Sequence, residues 1–169
     1  MTAQIDLKPT VVFNDLPAKL LIYPSLLFMI IGMMFGVFIS YNGFVFPDYF
    51  SGEYIHFGRL RPVHVGSVTL LWLLSVNVGL FYFLVPRLCG RSIYSPRLAY
   101  ISSALWWIAL LTGNYSYPFG TNFGWEYAEM PNFVLGIPVK FMFTFAWLLT
   151  VYNLFATIAT RVYQKMYVS

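Results

Sequence analysis

Charge is what this chain has least of. Lys, Arg, Asp and Glu make up 9% of its 169 residues, against roughly 25% in an ordinary soluble domain, which excludes a water-facing globular fold. Its single cysteine, Cys89, rules out an intrachain disulfide. There are two histidines, His56 and His64. The sequence shows no internal repeat and no low-complexity segment. No basic stretch leading into a short apolar run and a small-residue cleavage site opens it either, so the first span is expected to act as its own insertion signal.

What is abundant is apolar: 59% of residues are hydrophobic and 21% aromatic. Four apolar stretches, roughly 20–41, 62–85, 98–117 and 133–160, are long enough for a hydrocarbon core that takes about 20 helical residues. The expected fold is therefore all-α, a polytopic membrane protein of four transmembrane helices in one bundle. Residues 1–19 and 162–169 flank a membrane region over 20–161. Asn42-Gly43, Pro47-Asp48 and Tyr117-Pro118-Phe119-Gly120 supply the turn chemistry of the connections.

The net charge of +4 does not point to nucleic acid, because its distribution follows the spans. Lys8, Lys19, Arg87, Arg91, Arg97, Arg161 and Lys165 all fall on one side if four helices alternate up and down. The positive-inside rule places that side, with both termini and the 86–97 connection, in the cytoplasm. Loops 42–61 and 118–132 are then external, and the basic residues after the fourth span read as a cytoplasmic end. Arg59, Arg61 and Lys140 are the cations left on the other side.

Two of these precede His64 in Gly58-Arg59-Leu60-Arg61-Pro62-Val63-His64. A residue before proline is pushed toward extended geometry, and proline suits a first helical position. The spacing thus predicts an extended Arg59–Arg61 stretch with both guanidiniums on one side and Pro62 opening the helix. His64 then lies about 3 Å deeper. A haem carries an iron that imidazole ligates and propionates that guanidiniums pair with, so the spacing suits a haem. It equally suits two interfacial arginines and a packed helix-start histidine. His56, in the outer loop, reads as a surface residue. Gly32, Gly36 and Ser40 lay a strip of small residues along the first span, explained by close helix packing. Ser67, Ser75 and Asn77 read as interhelical hydrogen-bonding groups, and Trp72, Trp106, Trp107, Trp125 and Trp147 as core or interface residues.

The run Phe57-Gly58-Arg59-Leu60-Arg61-Pro62-Val63-His64 resembles the haem-ligand motif opening the second helix of the catalytic subunit of cbb3-type cytochrome c oxidases, the C-type branch of the haem-copper oxidases. Glu126-Tyr127-Ala128-Glu129 resembles the acidic motif that these oxidases and the related nitric oxide reductases carry before their fourth helix. The resemblance covers roughly Tyr23 to Arg161. It implies that His64 is an axial ligand of a low-spin haem b, that Arg59 and Arg61 lie near its propionates, and that Glu126 and Glu129 stand close to the haems, one of them associated with calcium. It further implies a bacterial inner-membrane complex with cytochrome c-type subunits.

The departure from the family is large. Its catalytic subunits have about twelve helices, and the second low-spin ligand, the high-spin haem ligand, the copper-binding histidines and the active-site tyrosine all lie in later ones. The high-spin haem and copper are thus expected in partner helices on another chain, with this chain either a naturally separate front piece or a truncated one, not catalytic alone and with no complete proton pathway. A nitric oxide reductase piece and a non-catalytic b-type cytochrome or assembly subunit are the alternatives. Lys140, expected about two turns into the fourth span, either snorkels or supplies positive charge to the acidic pair in place of calcium.

Overall fold

The structure, a computed structural model, describes residues 11–45, 52–119, 133–134 and 137–163. Four helices account for most of them. Helix α1 spans Leu16–Ser40, runs into a π-helical turn at Tyr41–Val45, and starts where Asn14 Oδ1 accepts from the Leu16 amide at 3.1 Å. Helix α2 is continuous over Phe57–Cys89, with its middle, Ser67–Leu74, wound as a π-helix. It ends at Gly90, whose φ of 63° gives the left-handed turn that favours glycine. Helix α3, Pro96–Asn114, is capped by Ser95 Oγ accepting from the Leu98 amide at 3.3 Å and carries Pro96 in its first turn. Helix α4 covers Val139–Ala159.

Three of these helices, α1, α2 and α4, are long and apolar enough to cross a membrane, with mean hydropathies of 2.2, 2.1 and 1.6. The expected third span, about 98–117, forms a helix but is not among them. Its Ser102, Ser103 and Asn114 lower its apolarity, and all three are buried against other helices.

The helix ends also differ from expectation. Pro62 does not open α2 but sits inside it, five residues after its start at Phe57. Arg59 and Arg61 are thus helical and project to opposite sides, because residues two apart on a helix diverge. The fourth span begins not at 133 but at Val139. Before it, Phe133–Val134 (β1) and Ile137–Pro138 (β2) pair antiparallel, Phe133 opposite Pro138 and Val134 opposite Ile137. Pro138 favours extended backbone in the residue before it, so the apolar run is interrupted where hydropathy alone reads helix.

Helix α1 lies along α2 for most of its length, and α3 packs on α4; the two pairs meet where α2 touches α4 and α1 touches α3. The core is built by Leu21, Leu71, Val78, Trp106, Leu110 and Ala146 among others. Buried polar side chains join the helices. Tyr82 Oη lies 3.0 Å from Ser102 Oγ and donates to Thr150 Oγ1 at 3.3 Å, and Trp106 Nε1 donates to Ser75 Oγ at 2.8 Å. Such bonds are a large part of what holds helices together where lipid removes the hydrophobic drive. Ser67 and Ser75 accept such bonds, from Asn114 and Trp106. Asn77 instead turns back on its own helix, to the Leu73 carbonyl at 2.7 Å.

Candidate functional site

His64 occupies the eighth position of α2, half-buried and facing α1. Its Nδ1 lies 2.7 Å from the Gly32 carbonyl oxygen. A carbonyl only accepts, so the contact requires the proton on Nδ1 and leaves the Nε2 lone pair available. That is the pattern of a metal-ligating histidine, whose other nitrogen is held by an outer partner. Gly36, one turn further along α1, has no side chain in the way: a Cβ there would lie 2.6 Å from His64 Cε1 and 3.4 Å from Nε2. The strip of small residues on α1 therefore does two things. Gly32 lets α2 approach until its own Cβ position would meet Val68 Cγ2 at 2.9 Å, and Gly36 admits the imidazole.

His64 also lines a groove of about 480 Å³ together with Met33, Gly36, Val37, Ile39, Ser40, Tyr41 and Val45. The wall is mostly apolar, and Met33 and Val37 are exposed beside it. An available imidazole nitrogen, a ring pinned by a carbonyl and a glycine cradle fit a haem that His64 would ligate. Among the described residues no group of three His, Cys, Asp or Glu could hold a metal ion, so His64 stands there as a single candidate ligand.

The arginines divide. Arg59 Nη1 donates to the Pro118 carbonyl at 2.9 Å, its guanidinium lies 4.0 Å from Glu53 Oε1 and 5.8 Å from the Tyr54 ring centroid, and its side chain is 25% exposed. It therefore ties the turn after α3 to the start of α2. Arg61 is exposed and three residues before His64, which places both on one face. The structure thus does not bring Arg59 and Arg61 together, as extended geometry would have done.

Glu126 and Glu129 lie outside the described residues, as does Trp125. Lys140 is the second residue of α4 and not two turns inside it; it is exposed, with Nζ 5.8 Å from the Phe141 ring centroid. That position suits a snorkelling lysine. His56 is exposed just before α2, in keeping with a surface residue, and its carbonyl accepts from the amides of Arg59 and Leu60, both at 3.1 Å.

Two site residues escaped the sequence reading. The role of Gly36 was hidden inside a packing motif, because Gly36 meets the His64 ring in space while lying on a different helix, far from it in sequence. The Asn114 amide was the other: Nδ2 donates to Ser67 Oγ at 3.0 Å and to the Val63 carbonyl at 3.2 Å, fixing the turn of α2 that carries His64. A lone Asn at the end of an apolar run gives no such signal.

The family described as Cytochrome C and Quinol oxidase polypeptide I matches residues 17–169. The chain is 31% identical over 140 residues to the cbb3-type cytochrome c oxidase subunit CcoN1 of Stutzerimonas stutzeri, covering 82% of this chain and 28% of that protein. It is 24% identical over 132 residues to a cytochrome c oxidase subunit 1 homolog of Agrobacterium tumefaciens, covering 78% of this chain and 23% of that protein. The chain thus spans about a quarter of the length of these relatives.

Proposed function

Because the chain belongs to the family of cytochrome c and quinol oxidase polypeptide I, we propose that it is the front, haem-binding part of a cbb3-type terminal oxidase subunit, passing electrons through a low-spin haem b toward oxygen reduction. The observation that carries this reading is the His64 Nδ1 contact to the Gly32 carbonyl, which orients the ring and leaves Nε2 for iron beside an apolar groove. When bound, the haem supplies one-electron chemistry. The chain's own residues hold its iron through His64 and place a cation, Arg61, on the same face for a propionate. Arg59 supports the site indirectly, by fastening the outer turn.

A low-spin haem needs a second strong axial ligand. His56 lies outside the bundle, so the second imidazole belongs to the subunit's remaining helices, outside these 169 residues, where the high-spin haem and copper also belong. Glu126 and Glu129 are assigned to the outer side near the propionates, with calcium, and cytochrome c-type subunits deliver the electrons. Helix α3 is taken as a span as well, bringing the number to four: its 19 residues measure about 28 Å, close to the roughly 30 Å of a hydrocarbon core. Its polar groups face inward, while Ile101 and Ile108 face outward. With four spans, both termini lie on the cytoplasmic side of a bacterial inner membrane.

Co-expression of the chain with the remaining helices of the subunit tests the reading. A pyridine haemochrome spectrum of the purified complex should show b-type haem, and His64→Ala should remove the low-spin signal while leaving membrane insertion intact. A low-spin signal that survives His64→Ala overturns it. Copper in the complex would mark an oxidase; non-haem iron in its place would mark a nitric oxide reductase.

A further inference from the structure

We propose that Gly36 is a positioning residue that sets the protonation tautomer and the tilt of the His64 ring. The inference rests on His64 as the haem ligand. Two contacts from α1 grip the ring. The Gly32 carbonyl takes the Nδ1 proton at 2.7 Å, and the bare Cα of Gly36, one turn on, faces the Cε1 edge between the two nitrogens. A Cβ at Gly36 would stand 2.6 Å from Cε1, 3.0 Å from Nδ1 and 3.4 Å from Nε2. The ring cannot yield to it by a simple swing. Its Nδ1 is tethered, and the α2 backbone beneath it is locked by Asn114, which donates to the Val63 carbonyl, and by Gly32, where α1 and α2 touch at Val68.

A methyl group at position 36 therefore has one outlet. It pushes the ring off the Gly32 carbonyl, and the Nδ1 proton loses its acceptor. In the same movement the methyl comes to lie beside Nε2, on the approach that iron takes. Both effects act on ligand quality. The carbonyl bond makes the imidazole a stronger donor, and a stronger donor favours oxidised iron, so breaking the bond raises the midpoint potential. Loss of a cation near a propionate acts in the other direction. The sign separates Gly36 from the arginines.

The comparison variant is Gly79→Ala. Gly79 is an equally tight glycine on the same helix pair, where a Cβ would lie 2.6 Å from Ile22 Cγ1 and 3.1 Å from the Ala18 carbonyl, and it touches nothing of His64. A general loosening of α1 against α2 affects both variants alike; a positioning role affects Gly36→Ala alone.

The first measurement uses the full chain in detergent micelles with ¹⁵N-labelled histidine, under conditions that keep the rings neutral. Only two histidines contribute, and His56→Gln assigns them. His64 in the wild type should carry its proton on Nδ1. In Gly36→Ala the proton should move wholly or partly to Nε2, while Gly79→Ala keeps the wild-type pattern. The second measurement uses the co-expressed complex. Gly36→Ala should either weaken haem retention by about 10-fold or more, the usual scale for an outer-partner change, or retain the haem with a raised midpoint potential and shifted low-spin EPR g-values. A Gly36→Ala variant with the wild-type tautomer and g-values overturns the proposal, as does a Gly79→Ala variant that reproduces its effects. If His64→Ala keeps the low-spin haem, the ligand assignment itself fails; if His64→Ala loses it and Gly36→Ala is silent, only the positioning role fails.

Discussion

The indole of Trp107 donates to the Leu20 carbonyl at 2.9 Å, and Leu20 lies four residues before Pro24, the proline inside α1. A proline in a helix has no amide proton for that carbonyl. The side chain of α3 thus fills the acceptor that α1 cannot fill itself, and the two helices are joined at the point where one of them is defective.

A double-mutant cycle checks this relationship. Trp107→Phe should destabilise the chain by about 1 kcal/mol, the scale of hydrogen bonds inside membrane bundles. In a Pro24→Ala background the carbonyl regains a helical amide, and the same change should cost clearly less. Equal costs in both backgrounds, read from thermal unfolding in micelles, would show that the indole bond is incidental.

Asn153 offers a second case. Its side-chain amide imitates a strand: Oδ1 accepts from the Ser95 amide at 2.9 Å, and Nδ2 donates to the Ser95 carbonyl at 2.8 Å. Asn153 is fully buried. Replacing it by Leu leaves the Ser95 amide without its acceptor, while the Ser95 carbonyl keeps the Ala99 amide at 3.2 Å, at a cost of about 1–2 kcal/mol. Because those groups precede α3, the loosening should appear first as faster amide exchange at residues 92–98. Uniform exchange across the chain would count against a local role.

The arginines should separate by what their loss changes. Arg61→Leu should lower the midpoint potential of the low-spin haem, since a nearby cation opposes oxidation of the iron. Arg59→Leu should act mainly on the outer turn, raising protease cleavage near Pro118 with a smaller shift in potential. A redox titration and limited proteolysis of both variants decide it; a larger potential shift in Arg59→Leu would reverse the assignment.

Topology gives a fourth test. If α3 crosses the bilayer, periplasm-active and cytoplasm-active reporters fused after residue 163 should report the same side as reporters fused before residue 11. If only α1, α2 and α4 cross, the two ends should report opposite sides.

The broad architecture was readable because apolar run length is a direct statement of what lipid solvates. The exceptions share a cause. Pro62 reads as a helix start because proline prefers that position, yet it sits buried inside α2, in a stretch that packs on α1. The antiparallel strand pair before α4 hides in an apolar run because hydropathy does not see Pro138. His64 was marked as a candidate by its neighbours in sequence. The groups that orient it, Gly32, Gly36 and Asn114, come from other helices, and no local pattern marks them. The π-helical stretch Ser67–Leu74 likewise has no residue signature; it lies where α1 and α3 both contact α2.

The length of α2 has an electrical consequence. Arg61 and Arg87 lie about 39 Å apart along the helix at about 1.5 Å per residue, which nearly matches the roughly 40–45 Å of a bilayer with its headgroup layers. His64, one turn below Arg61, is thus near one end of the insulating layer. A full crossing of that layer changes the energy of an elementary charge by about 2.3 kcal/mol per 100 mV. On the proposed assignment, an electron arriving at a haem on His64 from the near side would cross only a small part of the voltage drop, so its arrival would be nearly indifferent to membrane potential, and a charge moved deeper from there would bear almost all of the work against the field.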